Sequence, residues 1–181
     1  MTEELTPFFE ALLFVAERPL STAEAHHHVG DLLLAMFGPT KPAWELLRKA
    51  AAEAPRDASI LTSLARAHWL TAYLPGAKID DALARASQFL ERAKALTPED
   101  AEVLTMDGHL HLARPDLDLE RKQAITEEIT AARKAYRHAI RRDETMAEAY
   151  FGLGNTHLLQ DSGSQEAVVA FEAAAYLLPL D

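Results

Sequence analysis

"EAYFGLGNTHLL", residues 148–159, decides the fold. Tyr150, Leu153 and His157 recur at helical spacing, yet Gly152 and Gly154 stand inside the same turns. A glycine within a helix costs about 1 kcal/mol relative to alanine, so two of them call for a compensating contact. Close packing against a neighbouring helix supplies one, because a side chain there would hold the two backbones apart and forfeit dispersion contacts. Gly108, Ala65 and Gly30 are expected at helix crossings of the same kind.

Outward from that segment helical spacing continues, and strand alternation is nearly absent. Nine helices are expected, over residues 3–16, 22–37, 41–54, 58–73, 79–96, 100–113, 119–142, 146–160 and 164–178. The breaks fall at Pro19, "GPTKP", "APRD", "YLPG", "TPED", "ARPD", "RRDE" and "QDSGS". Pro, Gly and capping residues end helices at such places. The short connections make this an all-α chain of antiparallel helical hairpins.

The hairpins also repeat one another. Ala43, Leu47, Ala50 and Pro55 share one spacing with Ala86, Leu90, Ala93 and Pro98, and with Ala167, Phe171, Ala174 and Pro179. Ala132, Tyr136 and Ala139 follow it, with Glu144 in the proline place. In the preceding helices, Leu64, Ala65 and His68 align with Asp107, Gly108 and His111, and with Leu153, Gly154 and His157. Over residues 22–181 this resembles the tetratricopeptide repeat (TPR) family, whose first helix runs aromatic-x2-Leu-Gly-x2-Tyr and whose second carries Ala-x3-Phe before a closing Pro. The chain departs from that pattern in its three His residues, which stand where the family has Tyr, and in its longer middle units.

The resemblance implies four degenerate units, about 22–56, 57–99, 100–144 and 146–181, behind a capping helix within residues 1–20. Together they would form one domain over 1–181: a right-handed superhelix of hairpins, or α-solenoid, with first helices lining the inner face.

Composition narrows the function. At 181 residues, 49% of them apolar, the chain can bury a core unaided. With no Cys it has no disulfide framework, thiolate metal site or cysteine nucleophile. A net charge of −10 argues against nucleic acid and suits a basic partner. Acidic Glu3, Glu4 and Glu10 occupy the place where a signal peptide is basic. No stretch approaches the roughly 20 apolar residues of a membrane span. A soluble, unexported, cytoplasmic protein is expected.

Three clusters invite a chemical reading. In "EAHHHVGD", Glu24 to Asp31, the consecutive His26, His27 and His28 point around a helix rather than pairing at i and i+4 as in H-E-x-x-H. A solvated first turn with one inward His is expected there, with a metal-binding helical protein as the lesser alternative. His68, His111 and His157 lie a repeat apart, too far to share an ion at about 2.1 Å per bond. They read as packing residues whose burial lowers their pKa. The run "ARKAYRHAIRRDE" places Arg133, Arg137 and Arg141 along one helix as a solvated face, with Arg141 and Arg142 complementing the helix C-terminus and a local anion or acidic-partner contact as the lesser alternative. No phosphate loop, dinucleotide fingerprint or nucleophile elbow occurs, so no enzyme, cofactor or metal site is expected.

What remains is a surface. The family's inward positions carry over to Arg66 and Trp69 in the second unit, Thr105, His109 and Leu112 in the third, and Phe151, Asn155 and Leu158 in the last. Less securely placed, the first unit offers Glu24, His27, Asp31 and Leu34. Trp69 and Phe151 would be exposed aromatics and Asn155 a holder of peptide backbone. The resemblance therefore implies a non-catalytic protein-binding adaptor, co-chaperone or scaffold that takes a peptide or partner helix, hydrophobic and possibly basic, in a concave groove. Alternatively, the apolar last helix "AVVAFEAAAYLLPLD" would serve a self-associating element, or continue into further repeats.

Overall fold

The computed structural model describes residues 20–113 and 122–178. Eight helices lie within them: α1 (Thr22–Phe37), α2 (Lys41–Glu53), α3 (Ala58–Thr71), α4 (Ile79–Leu96), α5 (Ala101–Leu112), α6 (Lys122–Arg142), α7 (Ala147–Gln160) and α8 (Gln165–Leu177). Among the described residues every regular element is a helix, and the expected boundaries hold to within two or three residues. The expected helix over 3–16, the start of the one over 119–142 and Pro179 lie outside the described residues.

Local chemistry sets the ends. Ser21 and Glu24 form a reciprocal capping box at α1: the Ser21 hydroxyl accepts from the Glu24 N–H at 3.2 Å, and the Ser21 N–H donates to Glu24 Oε2 at 2.8 Å. Asp57 and Asp100 cap α3 and α5 through one carboxylate oxygen each, and the Ser164 hydroxyl caps α8. Gly38, at φ 75°, carries the chain out of α1 in a conformation that disfavours a Cβ.

The chain divides into two compact units, residues through Leu96 and residues from Thr97. The division falls three residues before the expected boundary between the second and third repeat units. In the first unit α1 pairs with α2 and α3 with α4, and α3 also rests on α2 and touches α1. The second unit follows the same scheme: α5 pairs with α6, α7 with α8, and α7 meets both α6 and α5. Each later first helix thus meets both helices of the hairpin before it within its unit, which is the packing of a helical repeat.

The two repeated half-motifs are the two sides of one contact. In the three hairpins whose small residue is glycine, the large residue of the second helix docks on that glycine of the first. A Cβ added to Gly30 would lie 3.1 Å from the Leu47 side chain. At Gly108 it would lie 2.5 Å from the Tyr136 ring, and at Gly154 2.6 Å from the Phe171 ring. Gly152 belongs to the same device: its added Cβ would strike Tyr136 as well. One fully buried tyrosine is therefore seated between a glycine of its own hairpin and a glycine of the next.

Candidate functional site

Tyr136 organises the second unit's polar interior. Its hydroxyl lies 2.8 Å from His109 Nδ1, and His109 Nε2 lies 2.9 Å from Glu148 Oε1. With Nε2–H donating to the carboxylate, Nδ1 is left to accept from the tyrosine hydroxyl. The chain Tyr136–His109–Glu148 runs from α6 through α5 to α7 and leaves no unmet valence on the imidazole.

This corrects the expected groove lining. Thr105 is fully buried, and its hydroxyl donates to the Ala101 carbonyl at 2.8 Å. His109 is only 8% exposed. Neither presents itself to a partner. Leu112 is half-buried against the cluster of Leu104, Ala132, Tyr136, Ala139 and Ala149. The sequence placed these residues on the right helix but could not show that Tyr136 would claim the His109 ring.

The last unit differs. Phe151 is 54% exposed, its ring 5.4 Å from that of Phe171. Leu158 is exposed and Asn155 is half-buried between them at i+4. Gly152 and Thr156, away from that line, are buried, and Gly154, one turn from both Phe151 and Leu158, is buried against the Phe171 ring. The helix thus separates a packed face from a face carrying an aromatic, an amide and an aliphatic side chain in line.

In the first unit Trp69 is half-buried, set edge-on to Tyr73 at 5.5 Å, and Arg66 is half-buried one turn before it. The expectation of an openly exposed Trp69 is corrected: Tyr73, four residues on, is the more exposed ring. Leu34 belongs to the core with Val29, Leu33 and Leu47. Glu24 is spent in the capping box.

The remaining histidines of the 24–31 cluster are likewise spoken for. His26 Nδ1 pairs with Glu53 at 3.1 Å, and His27 Nε2 bonds to Ser63 Oγ at 3.0 Å across α1 and α3. Two histidines face inward rather than one, while His28 is exposed and stacks on His27. Burial lowers the His27 pKa. Among the described residues no three His, Asp or Glu side chains gather as a metal site would require.

The three repeat-position histidines part company. His68 is buried in a ladder of rings, 4.5 Å from Trp44 and 5.5 Å from Phe89, and Arg48 and Arg92 cover the outer faces of those two rings. Burial, aided by the positive charges of Arg85 and Arg48, pushes its pKa down to about 4. The His157 pKa is lowered by burial and then by Arg133 and Arg137. His111 is instead half-exposed and paired, its Nδ1 2.6 Å from Glu128.

The basic run on α6 is not simply a solvated face. Arg133 donates to the Thr156 hydroxyl, the Thr156 carbonyl and Gln160 at 3.3, 3.1 and 2.7 Å, tying α6 to the last turn of α7. His138 bonds Glu99 at 2.8 Å, and Arg142 donates to the Glu99 carbonyl at 3.1 Å.

No protein-family model and no curated protein matches this chain. Among solved structures it is similar to a crystal structure of MamA, at 20% identity and a TM-score of 0.49, with 93% of this chain and 84% of that one covered. A second, MamA MSR-1 C2, gives 16% identity and a TM-score of 0.47, with 97% and 88% covered. Likeness at this level adds no weight to the hairpin packing described above.

Proposed function

We propose that this chain is a non-catalytic helical-repeat module of the tetratricopeptide type, which binds a partner protein through the exposed face of α7. The observation that carries this is the line Phe151, Asn155 and Leu158, an exposed apolar pair bracketing an amide, on a helix held against Tyr136 and Phe171 through Gly152 and Gly154. Apolar anchors beside a hydrogen-bonding side chain suit a peptide or helix that brings both apolar side chains and free backbone groups. Arg66 and Trp69 offer a smaller patch of similar character in the first unit. A photo-crosslinking amino acid at position 151 tests the assignment in a cell lysate. A discrete protein adduct is expected there and none at the exposed Lys49. Equal, diffuse labelling at both positions would count against it.

A second reading has its own support. The outer side of α8 exposes Val168, Val169 and Tyr176, the last of them 90% exposed. Self-association through this helix would cover them, and sedimentation at rising concentration distinguishes it from the first reading.

A further inference from the structure

Of the guanidiniums in the basic run on α6, Arg137 is the one that lines a groove. Arg133 is committed to Thr156 and Gln160, and His138 and Arg142 to Glu99. Arg137, exposed one turn beyond Arg133, has no carboxylate partner among the described residues. Both Arg133 and His157 feel it as a repelling charge. It stands at the edge of a groove of about 370 Å³, walled by Tyr150 and Leu153 of α7 and by Val169, Ala170 and Ala173 of α8. Glu166 also lines this groove, but its carboxylate accepts from its own backbone N–H and, at 2.9 Å, from the Ser164 hydroxyl, and it offsets only one of the two guanidiniums. The groove shares no residue with the Phe151, Asn155 and Leu158 line.

We propose that this groove binds an acidic peptide segment of a partner protein, with an apolar side chain seated between α7 and α8 and a neighbouring carboxylate on Arg137. The volume sits at the small end of ligand pockets and suits a single large side chain better than a cofactor. His157 and Gln165 line the groove beside Glu166, and the rest of its wall is aliphatic and aromatic, so burial of an apolar group drives entry. The guanidinium at the rim then selects the charge, since its fork matches a carboxylate in two hydrogen bonds. On a chain of net charge −10, most of the surface repels an acidic segment, so a local cation beside an apolar slot fixes where it can dock.

The full chain is titrated, by fluorescence anisotropy at low salt, with a labelled synthetic amphipathic peptide bearing Leu and Phe on one face and Glu beside them. A peptide with Gln for Glu and one with Ala for Leu and Phe are run in parallel. The Glu peptide is expected to bind, and the Gln peptide about five- to tenfold more weakly. Arg137→Gln is expected to remove that difference without weakening the Gln peptide further, and Val169→Ser to weaken both. Affinity for the Glu peptide falls with added salt. Arg141→Gln, which removes an exposed guanidinium of the same helix outside the groove, leaves all of this unchanged. Equal binding of the Glu and Gln peptides, no binding of either, or full retention of the Glu preference by Arg137→Gln overturns the proposal. So does concentration-dependent self-association abolished by Arg137→Gln, which would make a second copy of this chain the occupant.

Discussion

Two residues decide most of what single substitutions should do. Gly154 is small because the Phe171 ring lies where its Cβ would be, so Gly154→Leu must shift a second helix and should cost at least the 1–3 kcal/mol typical of overpacking. A parent-like melting temperature would refute the close-crossing explanation. His68 governs pH dependence. Its folded pKa of about 4 lies below the usual 6.5, so the unfolded chain binds the extra proton between those values. The stability that depends on a neutral His68 is therefore whole above pH 6.5 and is lost as pH falls toward 4. Between pH 7.5 and 5 the loss should be about 2 kcal/mol. Urea denaturation at the two pH values measures it, and His68→Leu should remove most of the slope. His27, also lowered by burial, adds in the same direction. His68 was legible as a packing residue from its recurrence. The pairing of His111 with Glu128 was not, because Glu128 lies on a different helix, outside the repeated spacing.

At the scale of the element, the helices were legible because prolines, glycines and caps punctuate the chain at short intervals. The Ser21 and Glu24 box makes α1 start where it does, and Ser21→Ala should cost about 1 kcal/mol in a chemical melt. Cross-helix ties were harder to read. Arg133 looks like one member of a basic face, yet it holds the end of α7 through Thr156 and Gln160. Tyr136 matches the repeat spacing as a mere large residue, and only the fold reveals that its hydroxyl reaches His109 and its ring faces two glycines. Tyr136→Phe keeps the ring and removes the hydroxyl's bond to the buried His109 Nδ1, at about 1–3 kcal/mol. A loss well below that, measured by thermal melting, would mean the hydroxyl is dispensable.

For the molecule as a whole, spacing identified repeated hairpins, and the two half-motifs turned out to be partners in one contact. The candidate surface was less legible. Family positions select a helix face, but whether a residue on that face stays open depends on what the neighbouring hairpin demands of it. Thr105 and His109 were claimed by the core, whereas Phe151 and Leu158 were not. The division at Leu96 and Thr97 could not be read either, since the linking "TPED" resembles the other breaks. The central claim is that the exposed α7 face binds a partner protein. Its most direct test is affinity capture with the intact chain beside a Phe151→Ala, Asn155→Ala, Leu158→Ala variant, after matching the two for helicity and melting temperature. A partner retained by the parent and lost by the variant is the predicted result. A partner captured equally by both would contradict the claim and move the binding surface off α7.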